Sequence, residues 1–254
     1  MDMDQNKINQ LSNILKRLNA GENPQRVKKE TQEFLASVGP EELAAAEQQL
    51  VEAGLAPEDL RHLCSAHMEM MGGELAAMKA KLPQGHMIHT FVIEHEIILE
   101  FLSALEALNQ TVQKSAERDA VQSTLGELNG LVDNLIGAEP HHKREEDVLF
   151  PEVEARGLSG PPRIMRMEHI DLRHRKRELK DILGIAAQID FVSFRKKLDA
   201  ASKLLVLTLR DHIFKENNIL YPAAIEIIPE PEVWKRMKIE CDKIGYCAFT
   251  PKVG

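Results

Sequence analysis

Residues 141–151 read HHKREEDVLFP, and residues 212–222 read HIFKENNILYP. Laid side by side, the stretches share a His, a basic residue three later (Arg144, Lys215), a Glu four later and then Leu-aromatic-Pro. This is an internal repeat. Residues four apart on a helix differ by about 40° around the axis and about 6 Å along it, so His141 with Glu145, and His212 with Glu216, each point one way. An imidazole with a carboxylate is a ligand pair that iron, manganese and zinc accept. A single His-x3-Glu pair is an ordinary polar pair on a wet helix face. Its recurrence with the same apolar flank on a second helix is what marks these residues as ligands.

The flanking sequence supplies the helices. MIHTFVIEHEIILEFLSALEALNQTV (87–112) is amphipathic with no internal breaker. A second helix runs from about Val121 to Leu135, is interrupted at Gly137 and Pro140, and resumes through the first repeat to Gly157. Pro161-Pro162 opens a third, and a fourth covers FVSFRKKLDAASKLLVLTLRDHIFKENNILYPAAIEII (191–228). Four long helices with modest connections predict an all-α, antiparallel, up-down four-helix bundle over residues 84–230. A short helix and tail, 231–254, follow it. Residues 1–83 read as a small helical domain: Ile8, Leu11, Ile14, Leu15 and Leu18 recur at helical spacing, and EELAAAEQQLVEAG and PEDLRHLCSAHMEMM form later segments. Pro83-Gln84-Gly85 is the expected boundary.

The first long helix adds His95 and the third adds His169, each the histidine nearest the middle of its helix. The expected ligand set is His95, His141, Glu145, His169, His212 and Glu216. Six ligands exceed the need of one tetrahedral zinc, which points to two metals bridged by carboxylates. His142 and Glu146 also stand four apart, rotated by about 100°, and the alignment on Leu149-Phe150-Pro151 favours the His141 register. His86 and His89 read as polar residues at a helix start, and His174, in RHRKREL, as part of a solvated basic face. Cys64-x2-His67 lacks the second pair that zinc needs. Met68, Met70 and Met71 read as packing, and Cys241 and Cys247 fall on different helical faces.

The segments HHKREEDVLFP, HIFKENNILYP and EHE resemble the hemerythrin-like HHE cation-binding family. The N-terminal region with LCSAHMEM is similar to domain of unknown function 438. The resemblance implies a four-helix bundle and a non-haem di-iron centre able to bind oxygen or related small ligands. One departure stands out. Oxygen-carrying hemerythrins place two histidines four apart on the third helix, whereas here Arg173 follows His169 at that spacing, and His174 lies five on. That counts against reversible oxygen carriage.

Composition narrows the classes of function. The 254 residues carry a formal net charge of -8, which disfavours a phosphate backbone as partner. No apolar run reaches the roughly 18 residues of a membrane span, and the polar start lacks a secretory signal, so a cytoplasmic protein with neither nucleic acid nor membrane as partner is expected. Three scattered cysteines fit a reducing compartment. Nothing resembles a haem attachment, a phosphate-cradling loop or a nucleophile elbow. The leading expectation is a binding or sensing protein for a diatomic ligand or peroxide, in which the bundle alters contacts with the acidic N-terminal module. A di-iron enzyme (ferroxidase, peroxidase or nitric-oxide-consuming) and an iron storage or scavenging module stay open beside it.

Overall fold

The computed structural model describes residues 5–19, 22, 24–35, 82 and 85–251. Every regular element among them is helical. The expected segments from Glu41 to Met71, including Cys64, His67 and the methionine stripe, lie outside the described residues. The chain divides into two compact units, Met1–Ala80 with Phe214–Ile219, and Lys81–Ile213 with Leu220–Gly254.

In the N-terminal unit, α1 (Gln5–Asn19) and α2 (Pro24–Leu35) pack together. Ile8, Leu11 and Ile14 recur at helical spacing and are buried with Val27. Arg17 joins the pair by hydrogen bonds to Glu22 and Glu30. The connection is half exposed, so its contribution is small.

In the larger unit, α3 (Met87–Lys114) begins where the His86 ring accepts the Ile88 N–H, a side-chain cap that satisfies one orphan donor. Its buried face repeats every three or four residues through Phe91, Glu94, His95, Ile98, Leu102 and Leu105. A short 3₁₀ turn leads into α4 (Gln122–Ile136), which closes at Gly137. Pro140 then sits in the first turn of α5 (Glu139–Arg144), where its missing N–H costs nothing. After α6 (Phe150–Glu154) come α7 (Gly160–Gly184) and α8 (Phe191–Lys215). The helices α3, α4, α7 and α8 share one apolar core, to which Leu102, Leu128, Leu179 and Leu205 contribute.

The repeat folds differently from the unbroken helix its spacing predicts. Residues Glu145–Leu149 and Glu216–Leu220 are π-helical, each followed by a short α-helix, α6 and α9 (Tyr221–Ile227). The Phe150 N–H reaches back five residues to the Glu145 carbonyl. The cause is Pro151, and Pro222 in the second copy. A proline inside a helix has no N–H for the residue four back, and its ring clashes with that carbonyl. Widening the preceding turn by one residue relieves the clash, and such π-bulges concentrate at functional sites. In both copies the ligand-type Glu is the first residue of the widened turn.

The chain ends with α10 (Pro231–Ile244), which packs on α3, α5 and the first π segment. Gly245 stops it at φ +92° and ψ -175°, a conformation essentially confined to glycine. No helix among the described residues is long and apolar enough to cross a membrane.

Candidate metal centre

Inside the larger unit the helices bring an unusual number of buried polar side chains together. Glu94, His95, His141, His142, Glu145, His169 and His212 are all no more than 3% exposed. Burying so many ionisable groups is unfavourable unless each is paired or bound to a cation.

Among the described residues of the larger unit, the donor atoms of His95 and His141 lie within 4.8 Å of one another, as do those of His142, His169 and His212, and those of Glu145 and His169. Five of the residues expected from the sequence, His95, His141, Glu145, His169 and His212, fall in these groups, and Glu216 is buried in the other unit. His142, set aside by the register argument, joins them, because α5 presents His141 to the first group and His142 to the second. It supplies a fifth imidazole, while position 173 holds an arginine. Glu145 stands between the groups: its Oε2 is 3.5 Å from Nε2 of both His141 and His169, and its Oε1 accepts the Tyr221 hydroxyl at 2.6 Å.

The spacing suits a cation. Nitrogens about 2.1 Å from one ion with a right angle between the bonds lie roughly 3.0 Å apart. The Nε2 atoms of His95 and His141 are 3.0 Å apart. The buried Nδ1 of His142 has no hydrogen-bond partner among the described residues. Imidazole and carboxylate together are a donor set for iron, manganese or zinc.

Three histidines are held from behind by carboxylates on other segments. His141 Nδ1 donates to Glu94 at 2.7 Å, His169 Nδ1 to Glu146 at 2.7 Å, and His212 Nδ1 to Glu168 at 2.8 Å. An ionised carboxylate only accepts, so each contact fixes the proton on Nδ1 and makes Nε2 the nitrogen with the lone pair that can bind a cation. Sequence reasoning missed these three glutamates. Their signal was adjacency, since Glu94-His95, Glu145-Glu146 and Glu168-His169 each couple an inward residue to one turned about 100° away.

A second layer of charge supports them. Arg144, 1% exposed, donates to both oxygens of Glu94 and lies over the rings of Phe91 and Tyr246. Arg173 pairs with Glu146 at 3.0 Å and with Glu139. Burial alone would raise the Glu94 carboxyl, but His141, Arg144 and Thr250 outweigh it and hold it down to about 2. The same opposition, with His169 and Arg173 prevailing over burial, puts Glu146 at about 2. Arg144 also rises, because Glu94 outweighs its burial.

The apolar flank of the repeat walls the site. Leu149, Phe150, Leu220 and Tyr221 are fully buried. Phe150 stacks on His169 at 5.8 Å, and Tyr221 stacks on His95 at 5.7 Å. The other sequence-marked residues stay outside these groups. His86 caps α3 and packs on Trp234, and His174 is exposed on α7. Cys241 and Cys247 are buried beside Arg144 and Glu94, where burial pushes their thiols up to about 12 and about 11.

His142 gives the metal-free protein a pH dependence. Burial, then the Lys176 charge, and then His169, His141 and His212 hold its imidazole well below the ordinary 6.5. The unfolded chain takes up this proton near 6.5 and the folded chain does not, so acid favours unfolding. The melting temperature of metal-free protein is therefore expected to be highest above that value and to fall as pH drops below it. His142→Gln should flatten the slope; an unchanged slope in that variant would remove His142 as its source.

The Hemerythrin HHE cation binding domain matches residues 86–224, more than half of the chain, and the protein belongs to that family. Residues 11–77 match the Family of unknown function (DUF438). Among curated proteins, the iron-sulfur cluster repair protein YtfE of Musicola paradisiaca is 30% identical over 89 residues. That stretch covers 34% of this chain and only 40% of the relative.

Proposed function

We propose that this protein is a hemerythrin-like, non-haem di-iron protein that binds oxygen, nitric oxide or a related small ligand in sensing or redox response. The observation that carries this reading is Glu145, whose Oε2 lies 3.5 Å from the nearest histidine nitrogen of two neighbouring clusters. One carboxylate between two imidazole groups suits a pair of ions better than one. In this reading α3, α4 with α5 and α6, α7 and α8 make an up-down four-helix bundle, with the iron pair toward the end where the repeats lie.

His95 and His141 would hold one iron and His142, His169 and His212 the other, with Glu145 standing between the two groups. Iron supplies a redox couple and a coordination position for a small ligand. The chain supplies the rest. Glu94, Glu146 and Glu168 orient the imidazoles and make them more basic, Tyr221 holds one oxygen of Glu145, and Phe91 and Phe150 exclude water.

The relative's name favours a second reading, in which the same centre serves the repair of iron-sulfur clusters and iron is cargo. Metal content and the visible spectrum after expression with iron test the common core of both. A pair of irons per chain with oxo-bridge absorption in air, altered by nitric oxide or peroxide, is expected. A single zinc, or no metal, would overturn the di-iron reading. Transfer of the bound iron to an apo iron-sulfur protein would select the repair role.

A further inference from the structure

The carboxylate behind His141 is completed from a part of the chain beyond the family match, which ends at residue 224. Past α10, Gly245 redirects the backbone and residues 247–250 form a turn in which the Thr250 N–H donates to the Cys247 carbonyl at 2.9 Å. Cys247, 4% exposed, anchors this turn. The Thr250 hydroxyl donates to Glu94 Oε1 at 2.5 Å. Glu94 Oε2 receives the His141 Nδ1–H, and Arg144 donates to both oxygens. Thr250 is the half-buried member of this set. It lines a cavity of about 540 Å³ together with Gly85, Thr90, Lys238, Asp242 and Tyr246.

We propose that Thr250 is a positioning residue for the metal centre: by donating to Glu94 it withdraws charge from the carboxylate that accepts from His141, and so limits how electron-rich His141 is at the metal. Linked hydrogen bonds polarise one another inside a low-dielectric interior. Outer-shell partners of a ligating histidine alter its basicity and thereby the metal's redox poise. With the hydroxyl removed, Glu94 carries its charge less shared and pulls harder on the His141 proton. His141 then donates more strongly and favours the ferric state. The C-terminal turn thereby tunes a centre from which it is separated by one carboxylate. The inference rests on the di-iron reading above.

The test compares Thr250→Val, which keeps the shape and removes the donor, with Thr250→Ser, which keeps the donor, both in the full chain. In iron-loaded protein the midpoint potential of T250V is expected to move negative, while T250S stays at the wild-type value. In metal-free protein the His141 Nδ1–H proton resonance should move downfield in T250V and not in T250S. Iron content should be unchanged in both, and T250V alone should melt a few degrees lower, by roughly 2–12 °C, for the lost hydrogen bond to a buried carboxylate. Wild-type potential and resonance in T250V would overturn the inference, as would a positive shift or an equal shift in T250S. If the wild-type chain takes up no iron, the di-iron reading fails separately, and the resonance in metal-free protein still decides whether Thr250 acts through Glu94.

Discussion

His142→Ala is expected to lose iron from one of two positions while the helical fold persists. His142 stacks on His169 at 4.1 Å between ring centres and shares a group of donor atoms with His169 and His212. Metal binding by four ligands contributes roughly 10–16 kcal/mol in small sites, so one ligand accounts for about 3–4 kcal/mol, or roughly 10²–10³ in affinity. Glu145 and the His95–His141 side are untouched, so the second ion should remain. The metal-free protein should tolerate the change, because a buried imidazole without a partner for Nδ1 is itself unfavourable. His174→Ala, on the exposed face of α7, is the control and should keep its full metal. Iron content with the visible spectrum measures the difference. A fully loaded H142A protein with an unaltered spectrum would make His142 a packing residue, and would return the argument to six ligands.

Arg144→Met should produce the largest loss of stability. Arg144 is fully buried, and its guanidinium answers the charge of Glu94, itself 0% exposed. Removing one partner of a buried pair leaves the other uncompensated, at about 3–5 kcal/mol. For a domain of this size that corresponds to a fall in melting temperature of roughly 6–20 °C. Glu94→Leu combined with Arg144→Met should regain much of that stability, since an apolar pair often replaces a buried ion pair at little cost. Metal affinity should not return with it. The double variant leaves His141 Nδ1–H without its acceptor, and losing such an outer partner costs 10- to 100-fold in affinity. Thermal melts and metal titrations on the two variants separate the effects. If the double variant recovers both stability and affinity, Glu94 has no role in orienting His141.

The helices were legible because periodicity at three and four residues survives any single local distortion: α3, α7 and α8 appear close to where their apolar stripes place them. The family resemblance likewise rested on residues that the match to positions 86–224 includes. The π segments were not legible as such. A π turn differs from an α turn by one hydrogen-bond register and uses the same residue types, so only Pro151 and Pro222 announce it. His142 stayed outside the expected set because the alignment on Leu149-Phe150-Pro151 pairs His141 with His212 and leaves its neighbour without a counterpart. Two donor groups side by side make adjacent histidines useful, because neighbours on a helix point about 100° apart. Arg173 was read only as a missing histidine. Its work is with Glu139 and Glu146, contacts between helices that no spacing along one helix reveals.

The outer glutamates each belong to a different segment from the histidine they hold: Glu94 on α3 faces His141 on α5, Glu146 of the first π segment faces His169 on α7, and Glu168 on α7 faces His212 on α8. No helix therefore carries a self-sufficient share of the site. A helix swapped in from a relative would bring its own imidazole and take away its neighbour's anchor. Such a bundle is not modular at the level of single helices, and exchange between relatives would succeed only by transplanting interlocked neighbours together.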